Sequence, residues 1–449
     1  MNQPLVSAAT INRWSGWDRY PGARPFARPE LERLQAGLDQ RGLVLVRGAR
    51  ASGKTTLLRG LASRAAARGW DRRAILFVDL EDPLWAPRPS VAGLEALLAE
   101  GSGLKLVLLD GVERLDHWAD WARQARARRR LAVAAAATGP VGGAAPAGIA
   151  AVDCLPLDLG AWIKEYTDKK VDIESARQRL DDFLRAGGLP VERSAEGRRR
   201  SLIEVFFASL MQDVLLRQQV RDANILTAMS VYLLTQTGRP VSASRLKGSL
   251  TRSVDQARRF LAHLQAAGLI HLVTRLEDRA RPNQAARLCF AADSGLAWAL
   301  RQTPQAEQDG ISVGIEMPTR AGLAWTAVLH GVLRAGLRTW AWRARNRHGL
   351  LVASGSRPEL VLDLQLGRSD PDLRPLGQAM TDCGCPAGLL LTDGAGVGDR
   401  ALAGPGSIAV GHLADWLLEP KLTAKAVNKE LGSGQPARPQ SRRLPRHLL

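Results

Sequence analysis

Apolar and polar residues follow different rhythms along the chain, and the changes of rhythm mark its parts. From Pro29 to Leu159 short apolar runs, Leu43–Val46, Ala74–Leu80, Leu104–Asp110, Leu131–Thr138 and Ala150–Leu155, alternate with helical stretches, the first over Glu30–Leu38. That alternation predicts a mostly parallel sheet. Trp118 and Trp121, three apart, share a helix face in a core pattern. Further on, Leu202, Val205, Phe206, Leu210, Val214 and Leu215 give one buried face to a helix over Leu202–Val220. Helices over Ala223–Thr235, Ser242–Leu250 and Ser253–Ala267 follow, with Ser253 as N-cap of the last. Gly268-Leu269-Ile270 then turns into a strand, which Arg275–Ala286 links to Arg287–Ala291 as a hairpin. The remainder reads helix, three strands, helix, strand over Thr319–Ala335, Thr339–Ala344, Leu350–Ser354, Leu360–Leu366, Pro371–Asp382 and Gly388–Thr392.

Directly after the first apolar run stands Gly48-Ala49-Arg50-Ala51-Ser52-Gly53-Lys54-Thr55, followed by Thr56 and an Ala/Leu/Arg-rich stretch to Ala67. A triphosphate needs a side-chain-poor turn whose N–H groups converge on its β-phosphate, a lysine for the β/γ oxygens and a hydroxyl for Mg²⁺. Gly48 and Gly53 supply the turn, Lys54 the charge and Thr55 the hydroxyl. Asp110 ends Leu106-Val107-Leu108-Leu109-Asp110, so a strand delivers a carboxylate beside Thr55 to hold the hydrated Mg²⁺. Gly111 follows it, where a glutamate would polarise the attacking water. Losing a general base costs about a hundred- to ten-thousand-fold in rate, so hydrolysis is expected to be weak. Glu113, three residues beyond Asp110, and Glu81 and Asp82, ending the neighbouring strand, are the alternative carboxylates. Thr138 serves either as a γ-phosphate sensor or as a turn residue.

The chain of 449 residues is 45% hydrophobic, enough for about three cored domains. The sequence has no run of eighteen apolar residues and no charged-then-apolar N-terminal pattern, so a soluble cytoplasmic protein without membrane contact is expected. Cys154, Cys289, Cys383 and Cys385 have no repeated metal-ligand spacing and read as reduced thiols. The net charge of +18 favours polyanions, and the Arg/Pro-rich tail from Gly432 is expected to be disordered. Trp14 and Trp17 lie upstream in an N-terminal arm.

Together these segments resemble the prokaryotic AAA-superfamily ATP-binding proteins whose core is followed by a winged-helix and nuclease-like region of unknown function. The likeness runs over about residues 25–415. It rests on the phosphate loop with Arg50, on Leu80-Glu81-Asp82-Pro83, on Thr138-Gly139, on Leu155-Pro156-Leu157 and on Gly187-Gly188-Leu189-Pro190. The chain departs from that pattern at Gly111, in place of the Walker B glutamate, and at Ala51, in place of a glutamine. The resemblance implies an α/β fold: an AAA-type P-loop parallel sheet core with a helical lid, then a winged helix and a restriction-endonuclease-like α/β domain. The expected division is an arm over 1–24, core over 25–160, lid over 161–222, winged helix over 223–300, degenerate nuclease-like domain over 301–420 and basic tail over 421–449.

The expected ligands are ATP and Mg²⁺, with nucleotide state coupled to the winged helix; the alternative is a non-hydrolysing module that tethers DNA or protein. In the winged helix Arg252, Arg258 and Arg259, with Arg275, Arg279 and Arg281 of the wing, either contact DNA or cover a solvated face. Cleavage would need an acid-x-lysine on the third strand of the last domain. The strand reads Leu362-Asp363-Leu364-Gln365, with only Glu316 and Glu359 nearby, so a docking role for nucleic acid or protein is expected instead. Trp340 and Trp342 share one strand face and serve either base stacking or burial.

Overall fold

The computed structural model describes residues 28–420 apart from 83–84, 86–88, 101–102, 168, 279–284, 303–316, 345–346, 369 and 395–406. Trp14, Trp17, Pro83, Arg279, Arg281, Glu316 and the tail from 421 lie outside the described residues. The chain divides into two units, Met1–Gly336 and Leu337–Leu449.

In the first unit β1 (Leu43–Gly48), β2 (Ile75–Asp79), β3 (Leu106–Asp110), β4 (Ala132–Thr138) and β5 (Ala150–Asp153) form one sheet in the order β2-β3-β4-β1-β5. Every neighbouring pair is parallel. The strands are near-continuous apolar runs because both faces are covered. On one face Val44, Val46, Phe77 and Leu108 meet Leu31 and Leu34 of the helix Pro29–Arg41 and Leu57, Leu58 and Leu61 of the helix Lys54–Ala67. On the other, Leu45, Val107, Leu109 and Val133 meet Leu94 and Leu97 of the helix Val91–Glu100 and Trp121 of the helix Trp118–Arg129. Because β4 lies between β1 and β3, the carboxyl ends bearing Gly48, Thr138 and Asp110 come to one edge. Ligands settle in that crevice in open parallel sheets.

Helices Leu159–Tyr166, Ile173–Ala186 and Ala195–Ala208 follow the sheet. The helix predicted over Leu202–Val220 starts earlier, at Ala195, and passes at Ser209 into π-helical turns ending at Leu216. Helices Ala223–Thr235, Ala243–Leu246 and Val254–Ala266 then pack with an antiparallel sheet of β6 (Arg239–Val241), β7 (Ile270–Val273) and β8 (Arg287–Ala291), in the order β6-β8-β7. Ser253 caps the third helix by accepting from the Gln256 N–H. The helix predicted over Ser242–Leu250 is a single turn, because Lys247 is extended and Gly248 is left-handed at φ 87°.

Gly187 and Gly188 fold onto Asp293, which caps the helix Ser294–Ala299. A Cβ on Gly187 would stand 2.0 Å from Asp293 Oδ1 and one on Gly188 2.2 Å from the Leu157 carbonyl, so the Gly-Gly sequence is a condition of close approach. The helix Arg320–Arg334, expected with the C-terminal domain, belongs to the first unit. Its Thr326 hydroxyl lies 2.8 Å from that of Thr237, and a Cβ on its Gly322 would meet the Thr237 carbonyl at 2.2 Å.

The second unit is a five-stranded sheet of β9 (Arg338–Ala344), β10 (Arg347–Ala353), β11 (Leu360–Gln365), β12 (Ala387–Thr392) and β13 (Ser407–His412), in the order β13-β12-β11-β10-β9. β9 to β11 run antiparallel, and β11 to β13 run parallel. Helices Arg374–Cys383 and Leu413–Leu418 accompany it. Trp342 is buried and its indole N–H donates to the Leu362 carbonyl; Trp340 is only partly covered. Asp363 is 2% exposed and accepts from Arg347 Nη1 at 3.2 Å and from Gln365 Nε2 at 3.0 Å. No helix among the described residues is long and apolar enough to cross a membrane.

Candidate nucleotide site

The loop leaving β1 carries the backbone strain a tight anion-binding turn requires. Gly53 has φ 102° and caps the helix Lys54–Ala67. Ala51 is left-handed at φ 61°, which costs a residue bearing a Cβ roughly 1–2 kcal/mol. Gly48 has no room for a side chain, since its Cβ would lie 2.2 Å from the Cys154 carbonyl. Behind the loop, Ser52 is fully buried and its carbonyl accepts from Arg28 Nη1 at 3.0 Å and from the Cys154 thiol at 3.2 Å. Arg28 is itself 7% exposed and braces the turn from underneath. Nothing in the spacing of the sequence marks it.

Lys54 is buried, and its ammonium donates to the carbonyls of Gly48 at 3.1 Å and Ala49 at 2.8 Å. Burial lowers its pKa, while Asp110, Cys154 and Glu113 oppose that shift. Thr55 Oγ1 donates to Asp110 Oδ2 at 2.6 Å. A hydroxyl and a carboxylate in contact, at the positive end of a helix, are hard oxygen donors of the kind a hydrated Mg²⁺ takes. The donor set therefore fits that ion. Burial raises the Asp110 pKa, and the Thr55 hydrogen bond and Lys54 pull it back. Thr56 follows in the same turn of helix.

Around this pair stand the carboxylates singled out in the sequence. Glu113 sits in the 3₁₀ turn Val112–Arg114 and accepts from the Thr138 N–H at 3.1 Å through Oε2. Its Oε1 is buried without a hydrogen-bond partner among the described residues, and burial raises its pKa. Glu81 is clamped instead: Arg50 Nη1 and Nη2 donate to its two oxygens at 3.1 and 2.8 Å, and the same guanidinium donates to Asp213 Oδ1 and Oδ2 at 2.9 and 3.0 Å. Burial would raise the Glu81 pKa, but the hydrogen bonds and charge of Arg50 carry it to a net lowering. Gly111 is left-handed at φ 78°, and a Cβ there would stand 3.2 Å from Glu81 Cγ. The loop, Lys54, Thr55, Asp110, Glu113, Glu81 and Thr138 thus converge on one sheet edge. Asp82 lies in the turn after β2, where its carbonyl accepts from the Trp85 N–H at 3.1 Å. Asp213, a member of the Arg50 network, carries no signal in the sequence.

The sheet order, the glycine-strained loop and the Thr55–Asp110 pair define a P-loop nucleotide-binding domain of the AAA type, a geometry consistent with ATP binding. Residues 40–141 match the family described as an AAA domain, and residues 177–307 match a domain of unknown function (DUF8612). No curated protein matches the sequence. Among solved structures, the chain is similar to the Walker-type ATPase of Pyrococcus abyssi at 15% identity, over 62% of this chain and 96% of that one, with a TM-score of 0.40. AMPPCP-bound DnaA from Aquifex aeolicus is 15% identical over 56% of this chain and 81% of its own, with a TM-score of 0.25. PCH-2 of C. elegans is 12% identical over 58% and 67%, with a TM-score of 0.20.

Proposed function

We propose that this protein binds Mg²⁺-ATP in its P-loop core, hydrolyses it slowly, and relays the nucleotide state through the lid of residues 161–222 to a winged helix over 223–300. The observation that carries the reading is the 2.6 Å Thr55–Asp110 hydrogen bond at the head of the phosphate-loop helix. The N–H groups of residues 48–53 take the phosphates, and Lys54 turns from its own loop carbonyls to the β/γ oxygens. Thr55 and Asp110 would hold Mg²⁺, which when bound neutralises the phosphate oxygens. Thr138 stands beside the γ-phosphate as sensor.

Glu113 is the general base in this reading. One of its oxygens is fixed by the Thr138 N–H, the other is unengaged, and a raised pKa favours proton uptake. Glu81 positions Arg50. The relay rests on Arg50, whose guanidinium bridges Glu81 at the end of β2 and Asp213 in the π-helical segment before the module. The non-hydrolysing alternative is favoured by Gly111, whose place beside Glu81 leaves little space for the usual glutamate. Arg252, Arg258 and Arg259 are the contacts to DNA, although Arg258 is paired with Asp255 at 3.1 Å.

The unit that begins at Leu337 is a degenerate nuclease fold that docks nucleic acid or a protein partner without cutting, since Arg347 and Gln365 already occupy the Asp363 carboxylate. A cytoplasmic location accords with ATP as ligand. Isothermal calorimetry with Mg²⁺-ATP tests the core of this reading: heat of binding is expected for the wild type and none for Lys54→Ala. Absence of heat for the wild type overturns it. Single-turnover phosphate release separates slow hydrolysis from none.

A further inference from the structure

Apart from the phosphate loop, the first unit carries a half-open pocket of about 670 Å³ whose described walls come from the helices Leu159–Tyr166, Ile173–Ala186, Ala195–Ala208 and Ser294–Ala299 and from the turns that flank them. It shares no described residue with the nucleotide site, and most of its wall falls in the stretch matched to the domain of unknown function. Its chemistry is one-sided. Trp162, Tyr166 and Trp298 supply aromatic surface, while six arginines and Lys169 meet one carboxylate, Asp182.

Some of those cations are committed elsewhere. Arg179 pairs with Asp182 and Arg193 with Glu165, and Arg198 donates to the carbonyls of Ala186, Gly187 and Leu189. Arg185, Arg199 and Arg301 have no carboxylate partner among the described residues, although Arg301 donates to the Trp298 carbonyl at 2.6 Å. Two of the three gather on one indole, with the Arg301 guanidinium 4.2 Å and that of Arg185 5.4 Å from the Trp298 ring centroid. They feel one another: after burial, the charges of Arg199 and Arg185 are what lower the Arg301 pKa. A second, independent sign lies in the wall. Trp162 is 6% exposed and its indole N–H has no acceptor among the described residues, and Arg179 Nε is buried in the same condition. A native structure rarely leaves such donors unmet.

A ligand that satisfies these groups must present acceptors, negative charge and a flat π face together. An acidic peptide offers the charge without the face. A nucleotide offers all three, because bases stack on aromatic rings while arginines take phosphates. Arg185 and Arg199 are exposed at the rim, so the positive charge continues from the cavity onto the surface, along which a strand's next phosphates would run.

We propose that this cavity seats one nucleotide of a single-stranded nucleic acid, its base against the partly exposed rings of Tyr166 and Trp298 and its flanking phosphates on Arg185, Arg199 and Arg301. The site is separate from the helix carrying Arg258 and Arg259 and does not depend on ATP binding.

Fluorescence anisotropy of a labelled oligothymidylate with the full chain, read across a salt series, tests it. The wild type binds, and Arg185→Glu with Arg199→Glu weakens binding about tenfold or more and lowers the slope of log affinity against log salt by about 1.4, two released counterions at ~0.7 each. Trp298→Ala weakens it by about tenfold or more through lost stacking. If Trp298→Ala fails to fold, the exposed arginine pair alone decides between the outcomes. No binding by the wild type at low salt, or binding untouched by the arginine pair, overturns the proposal. So does displacement by thymidine monophosphate at matched nucleotide concentration, which would assign the cavity to a free nucleotide.

Discussion

At the scale of single residues, the site divides into what local spacing reveals and what only folding assembles. Gly48, Gly53, Lys54 and Thr55 lie within eight consecutive positions, and their chemistry follows from that nearness. Asp110 is legible because it ends an apolar run. Arg28 and Asp213 are not legible: the first reaches Leu155 across 127 residues and the second reaches Arg50 across 163, and no periodicity encodes such pairings. Spacing likewise leaves the competition between Glu113 and Glu81 undecided, and the engagement of each carboxylate separates them. A carboxylate held in two guanidinium hydrogen bonds has its lone pairs occupied and its pKa depressed, whereas Glu113 keeps one oxygen unengaged. Glu113→Gln is therefore expected to slow single-turnover phosphate release about a hundredfold or more, with calorimetric ATP affinity kept within about threefold, a small uniform-binding change. Glu81→Gln should slow release less. Equal rates for Glu113→Gln and wild type would remove Glu113 from the role.

At the scale of elements, strands are legible from apolar runs to within a few residues because a parallel sheet buries both faces and leaves the run uninterrupted. The helices after residue 195 are less legible. A helical pattern of apolar positions cannot report that the chain widens into π turns at Ser209, and that widening carries Asp213 at the face of Arg50. Such insertions often mark functional sites. The motif Gly187-Gly188-Leu189-Pro190 is visible in the sequence, but its reason is not. Asp293 accepts from the N–H groups of Gly188 at 2.7 Å, Leu189 at 3.2 Å and Leu296 at 3.0 Å, all inside the protein. One carboxylate thus ends one helical segment and starts another. Its pKa is raised by burial, against the pull of Arg198 and these three N–H groups. Asp293→Ala would leave three buried donors unpaired, and with each worth about 1–3 kcal/mol and partial relief by water, a loss of about 3–5 kcal/mol is expected in urea denaturation. A loss below ~1 kcal/mol would mean the turn finds other acceptors.

At the scale of the whole first unit, what sequence cannot give is which segments close on each other. The helix Arg320–Arg334 is expected with the C-terminal strands because a strand follows it directly. It packs instead within the first unit through Thr237, Gly238 and the ring pair His271–His330, whose centroids lie 5.7 Å apart in a T-shaped arrangement. That pair makes stability depend on pH. Burial holds the His330 pKa well below its ordinary value, with His271 and Arg334 adding to the shift. Burial also takes His271 down to about 4, against the opposing charge of Asp153. Both groups titrate lower in the folded chain than in the unfolded one, where a histidine lies near ~6.5. Between those values the unfolded chain binds more protons, so the pair's contribution is complete above about 6.5 and is lost as pH falls toward about 4. The buried carboxylates act with the opposite sign, since Asp79, Asp293 and Asp363 have raised pKa values and their contribution diminishes as pH rises. A raw stability profile therefore mixes both trends, and a difference isolates the histidines. The gap in unfolding free energy between wild type and His330→Gln, measured by urea denaturation near pH ~7.5 and near pH ~5, should move in favour of the variant at the lower pH. A gap that stays constant across that window would mean that the imidazole of His330 can take up a proton within the fold and that the contact between this helix and β7 is not sensitive to acid.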